Sequence, residues 1–371
     1  MNFSIILFLS GIIVSLIILN WTLYFPISKA FSLQRKSRLL LLLILLILNM
    51  LFLWGEVFRR FWDINWLSTI GNIWLGVLAI SFSIMVFNLL IFVLIRKMFR
   101  YTTIASLTFI VVLSFVALFN NLTLPEVLEY DIYSNKISPE AERIKIVLIS
   151  EFHLLSNTNR TRIEKVINRI NQLQPDLIII AGDLIDDKYQ KINHFIPKFQ
   201  ALQSRYGTFS VPGNHDYYSN INSYLKFTAE AGIYNLLNEN RVITEDLVLV
   251  GVTDRTSTLN PPDVEQAMQG IEREPYIVFV SHQPLYHKEA IDQGADLILA
   301  GHTHRGQIPP LRFLVGLRFP YSYGYYEERG RIIYTTSGVN TWGPPMRLFS
   351  RNEIVVFNLY PQKSEVVEIT E

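Results

Sequence analysis

The chain has 371 residues, 50% of them hydrophobic and 18% charged, with 33 Lys+Arg against 32 Asp+Glu. The net charge of +1 lacks the basic excess of a nucleic-acid binder, so no nucleic-acid partner is expected. The absence of cysteine excludes disulfides, thiolate zinc sites, iron–sulfur ligation and a cysteine nucleophile. So much apolar surface cannot stay in water, which also excludes a disordered chain.

Charge is unevenly divided. Residues 1–125 carry 9 Lys+Arg and 2 Asp+Glu, whereas residues 126–371 carry 24 and 30. Four charge-free apolar stretches lie in the first part: Phe3–Tyr24, Leu39–Trp54, Ile70–Ile95 and Ile104–Phe119. A helix needs about 20 apolar residues to cross the hydrocarbon core. The second stretch is short, but its density of Leu and Ile still marks a span. The pattern predicts a transmembrane domain of four helices over residues 1–122. The first stretch lacks a basic leading segment and is too long for a cleaved signal peptide.

Orientation follows from the positive charges. Lys29, Arg35, Lys36 and Arg38 follow the first span, and Arg96, Lys97 and Arg100 follow the third. These two loops are expected on the cytoplasmic face. The protein would then be multi-pass, with everything beyond residue 125 extracytoplasmic and the lipid bilayer as its first partner. No ionisable residue lies inside a span, so the region reads as an anchor rather than an ion pathway.

Beyond Pro125 the apolar runs shorten and become β-branched. Strands are expected at Ile144–Ile149, Leu177–Ala181, Thr208–Val211, Leu247–Val252, Tyr276–Val280 and Leu297–Ala300. Helical spacing falls between them at Arg160–Leu173, Ile192–Leu202, Ser219–Ala231 and Pro262–Gln269. Two later strands, Arg331–Thr336 and Glu353–Leu359, arrive without helices. The alternation indicates a layered α/β domain over residues 126–371.

Five of these strands end in polar clusters. Ile144–Ile149 runs into Glu151 and His153, Leu177–Ala181 into Asp183, Asp186 and Asp187, and Thr208–Val211 into Asn214, His215 and Asp216. Tyr276–Val280 ends at His282, and Leu297–Ala300 at His302 and His304. Loops past the carboxyl ends of strands converge on one crevice in layered α/β proteins. Of the seven His in the chain, only His194 and His287 lie outside these clusters. Imidazole, carboxylate and amide oxygen without sulfur suit a borderline-hard divalent metal such as Mn, Fe, Zn or Co.

At these residues the chain resembles the calcineurin-like metallophosphoesterase superfamily. That family's ordered pattern of D-x-H, G-D-x-x-D, G-N-H-[DE], a lone His and G-H-x-H is carried here by five segments. They are Glu151-x-His153, Gly182-Asp183-x-x-Asp186, Gly213-Asn214-His215-Asp216, His282 and Gly301-His302-x-His304. The resemblance covers roughly residues 126–371. Gly306-Gln307-Ile308, Ser337-Gly338 and Pro344-Pro345-Met346-Arg347 look most like the membrane-associated bacterial branch.

The resemblance implies a four-layer αββα sandwich preceded by about four transmembrane helices, and two bound divalent metal ions. Asp183 would bridge the two metals. Glu151, His153 and His304 would complete one site, and Asn214, His282 and His302 the other. His215 would protonate the leaving oxygen, with Asp216 holding its tautomer. Asp186 and Asp187 either help shape the site or, as two acids at a strand-to-helix loop more often do, serve as caps and solvated charge.

Two departures stand out. Glu151 replaces the family's Asp, which moves the carboxylate by about one carbon–carbon bond where about 0.5 Å matters. Arg305 stands where that branch usually has Gly; it either contacts a substrate phosphate or lies in solvent. The stretch Ile308–Tyr326, with Arg312 and Arg318 among aromatics, either fills the domain's own core or lies on the membrane interface.

The expected function is a membrane-anchored, dimetal phosphohydrolase acting on phosphate ester or pyrophosphate bonds. Its substrate would be a phosphorylated small molecule or a lipid. Because of Glu151, the alternative is a catalytically weakened membrane-bound sensor or scaffold for phosphate ligands.

Overall fold

The computed structural model describes residues 3–62, 64–272 and 274–362. The last residues of the expected 126–371 domain therefore lie outside the described residues. Two compact units are present. One comprises the chain up to Thr123 together with Gly306–Leu314 and Trp342–Ser350; the other comprises Leu124–Arg305, Val315–Thr341 and the chain from Arg351.

The first unit is built on four helices: α1 (Phe3–Ala30), α2 (Arg35–Trp62), α3 (Asn65–Leu94) and α4 (Phe99–Leu122). All four are long and apolar enough to cross a membrane. Their outward faces are apolar, with Leu39, Phe87, Val93 and Phe115 more than half exposed, as lipid-facing side chains are. Helices α2 and α3 approach closely where Gly55 meets Ser68, whose Cα would lie 2.7 Å from any Cβ at residue 55. Beyond the charge-free stretch, α2 continues through Glu56, which accepts hydrogen bonds from Asn72 Nδ2 (3.0 Å), Arg59 Nε (2.9 Å) and Ser68 Oγ.

Two later segments belong to this helical unit. Ile308, Met346 and Leu348 are buried with Ile80 of α3 and Ala117 of α4. The Arg347 N–H donates to Ala117 O (2.9 Å), and Asn120 Nδ2 donates to Arg347 O (3.1 Å).

The second unit holds twelve strands among the described residues. They are β1 (Glu126–Ser134), β2 (Ile144–Ile149), β3 (Leu177–Ala181), β4 (Thr208–Val211), β5 (Ile233–Asn235), β6 (Glu239–Thr244), β7 (Leu247–Gly251), β8 (Tyr276–Val280), β9 (Leu297–Ala300), β10 (Gly324–Glu328), β11 (Arg331–Thr335) and β12 (Glu353–Pro361). One sheet runs β1-β12-β2-β3-β4-β5 and the other β10-β11-β9-β8-β7-β6. In the first sheet β2 to β5 are parallel, and in the second β7, β8, β9 and β11 are parallel.

The period-2 alternation of strands sets the layers. Ile146, Leu148, Leu177 and Ile179 of the first sheet pack with Leu249, Val278, Leu299 and Phe357 between the two sheets. The opposite side chains, Val147, Ile149, Ile178 and Ile180, face α5 (Arg160–Gln172), α6 (Tyr189–Ile192), α7 (Ile196–Phe199) and, past α8 (Asn214–Ser219), α9 (Ile221–Ala231). On the far side of the second sheet, Val248, Phe279 and Ile298 meet α10 (Val264–Met268) and α11 (His287–Asp292). Helix α12 (Leu311–Arg318) buries none of its residues. The result is the four-layer αββα sandwich.

Helix α5 shows why these elements form. Asn159 Oδ1 accepts the Arg162 N–H at 3.1 Å to start it, and Ile163, Val166, Ile167 and Ile170 bury one face at i, i+3, i+4 and i+7 spacing. The single helix expected over Ile192–Leu202 is instead α6, a 3-10 turn and α7, because Pro197 has no N–H to continue the ladder. Likewise Ser219–Ala231 is split at Asn220, whose φ is 105°.

Phe357 is fully buried between the sheets and its ring meets Tyr130 and Tyr334 at 5.7 and 5.5 Å. Phe357→Ala is expected to cost about 3–5 kcal/mol, read as a lower thermal midpoint of the purified full chain by circular dichroism. An unchanged midpoint would contradict this account of the sheet-to-sheet core.

Candidate metal centre

The loops that leave β2, β3, β4, β8 and β9 meet in the second unit. Glu151 Oε2 lies 2.9 Å from His153 Nε2 and 2.9 Å from His304 Nε2, and those two ring nitrogens are 3.2 Å apart. His282 Nε2 lies 3.1 Å from Asn214 Oδ1, 3.2 Å from His302 Nδ1 and 3.2 Å from Asp183 Oδ2. The same Asp183 oxygen is 3.9 Å from His153 Nε2, so it stands between the two sets. The seven residues expected to hold metal are thus brought together as Glu151, His153 and His304 on one side and Asn214, His282 and His302 on the other, with Asp183 in the middle.

Hydrogen bonds on the outer ring nitrogens decide what the inner ones present. His153 Nδ1 lies 3.0 Å from Asp186 Oδ1, and His282 Nδ1 lies 2.8 Å from the Ala181 carbonyl. Each acceptor calls for a proton on Nδ1, which leaves Nε2 as a bare lone pair pointing inward. Lone pairs therefore face lone pairs and carboxylate oxygens at hydrogen-bond distance. A cation is what such a set accommodates, and the sulfur-free nitrogen and oxygen donors suit a divalent transition metal. Glu151, His153 and His304 form one group able to hold a metal ion, and Asp183, His282 and His302 another.

Burial sharpens the electrostatics. It would raise the Glu151 carboxyl, but the imidazoles of His304, His153 and His282 hold it well below the usual carboxylate range. Burial opposes protonation of His282, yet Asp183 and Glu151 push it up to about 10, so the inward lone pair on Nε2 is met either by a second proton or by a cation in its place. Burial lowers His302, and the neighbouring His282 lowers it further, to about 4.

The backbone around the centre is held in an unusual conformation. Glu151, His153, Asp183, His302 and His304 all have φ between 46° and 70°. L-residues rarely adopt this left-handed region, and such strain persists only where the surroundings over-determine it. The longer side chain of Glu151 is accommodated by Gly338, at φ 80°, where a Cβ would overlap Glu151 Cβ and Cγ. Oε2 faces the rings of His153 and His304. Oε1 is pinned by Ser150 Oγ at 2.9 Å and by the His302 N–H at 2.5 Å.

The acid found beside the His215 ring is not the one expected there. His215 is at the centre, but the carboxylate on its Nδ1 is Asp186 Oδ1, at 2.9 Å. Asp216 is fully buried and accepts backbone N–H bonds from Gly213 (2.7 Å), Leu184 (3.0 Å) and Ile185 (2.9 Å). It fastens the start of α8 to the loop after β3 and is not the partner of the His215 ring. Asp186 thus lies against both His153 and His215. The sequence signal for it was its place in the G-D-x-x-D pattern, which a reading as a cap discounted.

The Ile308–Tyr326 stretch fills the domain's core only in part. Ile308 packs with the apolar helices, α12 exposes Leu311, Phe313, Leu314 and Leu317, and Tyr321 and Tyr326 pack on the core beside α10 and α11. Phe319 is buried with its ring 5.4 Å from that of His302. His194 and His287 lie outside the centre, on the 3-10 turn after α6 and on α11.

Comparison with known proteins agrees with this geometry. Residues 144–306 match the family model for calcineurin-like phosphoesterases. An uncharacterized metallophosphoesterase of Helicobacter pylori is 33% identical over 249 residues, 66% of this chain and 66% of its own length. One from Campylobacter jejuni is 30% identical over 275 residues, covering 73% of this chain and 72% of that protein. A Danio rerio transmembrane protein with a metallophosphoesterase domain is 31% identical over 267 residues, 68% of this chain and 61% of its length. The chain belongs to the calcineurin-like metallophosphoesterase family, and it is a membrane protein. The fish relative shows that the likeness is not confined to bacteria. The matches span slightly under two thirds of the Helicobacter and Danio proteins.

Gly338→Ala places a methyl group against Glu151 in a backbone conformation that alanine resists. Added Mn is expected to raise the thermal midpoint of the unsubstituted protein, and Gly338→Ala is expected to abolish that rise. A full Mn-dependent rise in the variant would contradict the packing assigned to Glu151.

Proposed function

We propose that the protein is a membrane-anchored dimetal phosphoesterase that hydrolyses phosphate ester or pyrophosphate bonds. The observation that carries this reading is the position of Asp183 Oδ2 between two sets of inward-facing imidazoles. Glu151, His153 and His304 would hold one divalent ion, Asn214, His282 and His302 the other, and Asp183 both. Bound there, the ions supply Lewis acidity to the phosphoryl group and make a water nucleophilic near neutral pH.

The remaining work falls to the protein's own groups. The Asp186 carboxylate accepts from His215 Nδ1 and orients the ring, so the second proton of the imidazolium, carried on Nε2, is the one that would pass to the leaving oxygen. The His215 side chain is 17% exposed, enough to meet a substrate. Asp183 Oδ1 accepts the His215 N–H at 2.8 Å, which ties the acid's backbone to the centre of the cluster.

The four apolar helices would span the membrane, and the Lys/Arg loops after the first and third would be cytoplasmic, which puts the phosphoesterase domain outside. An anchored site raises the effective concentration of a substrate confined to the bilayer, so a lipid-linked phosphate suits it. Externally added protease should cut the domain in intact cells; full protection there would reverse the orientation.

Purified full chain with Mn should bind two equivalents and release nitrophenol from bis(4-nitrophenyl) phosphate. His215→Ala should lower kcat by about 100- to 10,000-fold with a poor leaving group. One equivalent or none, with no turnover under Mn, Fe, Zn or Co, would replace the hydrolase by a phosphate-binding sensor or scaffold.

A further inference from the structure

Arg305 follows His304 directly, so their Cα atoms are about 3.8 Å apart. Its φ of 55° is one that glycine takes without cost and arginine does not. The guanidinium lies over the Tyr323 ring, 4.1 Å from its centroid. That contact holds the side chain against an aromatic face but supplies no counterion. Among the described residues no carboxylate pairs with Arg305, and its buried Nε has no hydrogen-bond acceptor. The acid beside Tyr323 is Glu353, whose oxygens already accept from Tyr323, Tyr334, Thr336 and Ser337.

A buried donor without an acceptor is costly. Here it occurs, on a guanidinium that no carboxylate pairs, in a strained residue adjoining a side chain of the candidate metal centre. Cations held by the seven inward-facing ligands would meet the reacting phosphoryl group. A separate fixed guanidinium fork is the geometry that receives a second phosphate.

We propose that Arg305 is the receptor for a second phosphate on the substrate, so that the substrate class is a diphosphate or its esters rather than an isolated phosphomonoester or diester. This rests on the phosphohydrolase reading above and narrows it. Tyr323 acts as the platform that holds the fork in place, and the aryl diester named above is a surrogate that leaves Arg305 without a ligand.

The test compares the Mn-loaded full chain with Arg305→Gly, which relieves the backbone conformation and so keeps the fold, and with Arg305→Lys. Calorimetric binding of methylenediphosphonate, a non-hydrolysable diphosphate, is set beside that of methylphosphonate. Arg305→Gly should weaken the diphosphonate by about ten-fold or more, the loss of one charge-assisted contact, and the monophosphonate far less. Arg305→Lys should restore part of the difference. Equal weakening of both ligands, or no weakening of either, overturns the assignment. If the diphosphonate shows this dependence while no ester is turned over, hydrolysis fails and the diphosphate site stands.

Discussion

Acceptor atoms are forced to face one another at the centre of the sandwich. His153 and His304 turn ring nitrogens toward each other across Glu151 Oε2, and His282 and His302 do the same beside Asp183. Protein groups alone cannot satisfy such a set without extra protons, because the outer nitrogens of His153 and His282 are already committed. The surrounding architecture maintains that confrontation. Parallel strands of two sheets deliver the loops, the apolar layer between the sheets holds the strands, and five ligand-type residues stay left-handed in consequence.

Asp186 and Asp216 show how two carboxylates of similar sequence context are put to different uses. Both are acids that follow strands of the same sheet, Asp186 in the loop after β3 and Asp216 in the first turn of α8. Asp216 spends its oxygens on three backbone N–H groups and so welds two loops together. Asp186 turns to the rings of His153 and His215 and so joins two imidazoles through one carboxylate oxygen. An isosteric change at either position would act through different physics: loop assembly at Asp216, imidazole orientation at Asp186.

Much of the layered fold was legible because strands buried on both faces must be continuous apolar runs. LIIIA and YIVFV, at β3 and β8, admit few other readings. Strand β1 was missed because Glu126, Glu129 and Asp131 break its apolar character, as an edge strand with one wet face allows. The ligand types were legible from their places at strand ends. Which acid meets His215 was not, since that depends on how the loops after β3 and β4 pack together. The fit of Glu151 was equally hidden, because the space beside it comes from Gly338, 187 positions along the chain. Nor does hydropathy reveal that Ile308 and Met346 leave the phosphoesterase core for the helices.

The two segments that join the helical unit have a practical corollary. Ile308, Met346 and Leu348 are shielded by Ile80 and Ala117, and Arg347 is hydrogen-bonded to the end of the fourth helix. Trimming the molecule at residue 124 to obtain a water-soluble hydrolase would strip that shelter. The fragment would carry a raw greasy seam at Ile308, Met346 and Leu348, and it would tend to clump or need detergent despite having lost the four apolar helices.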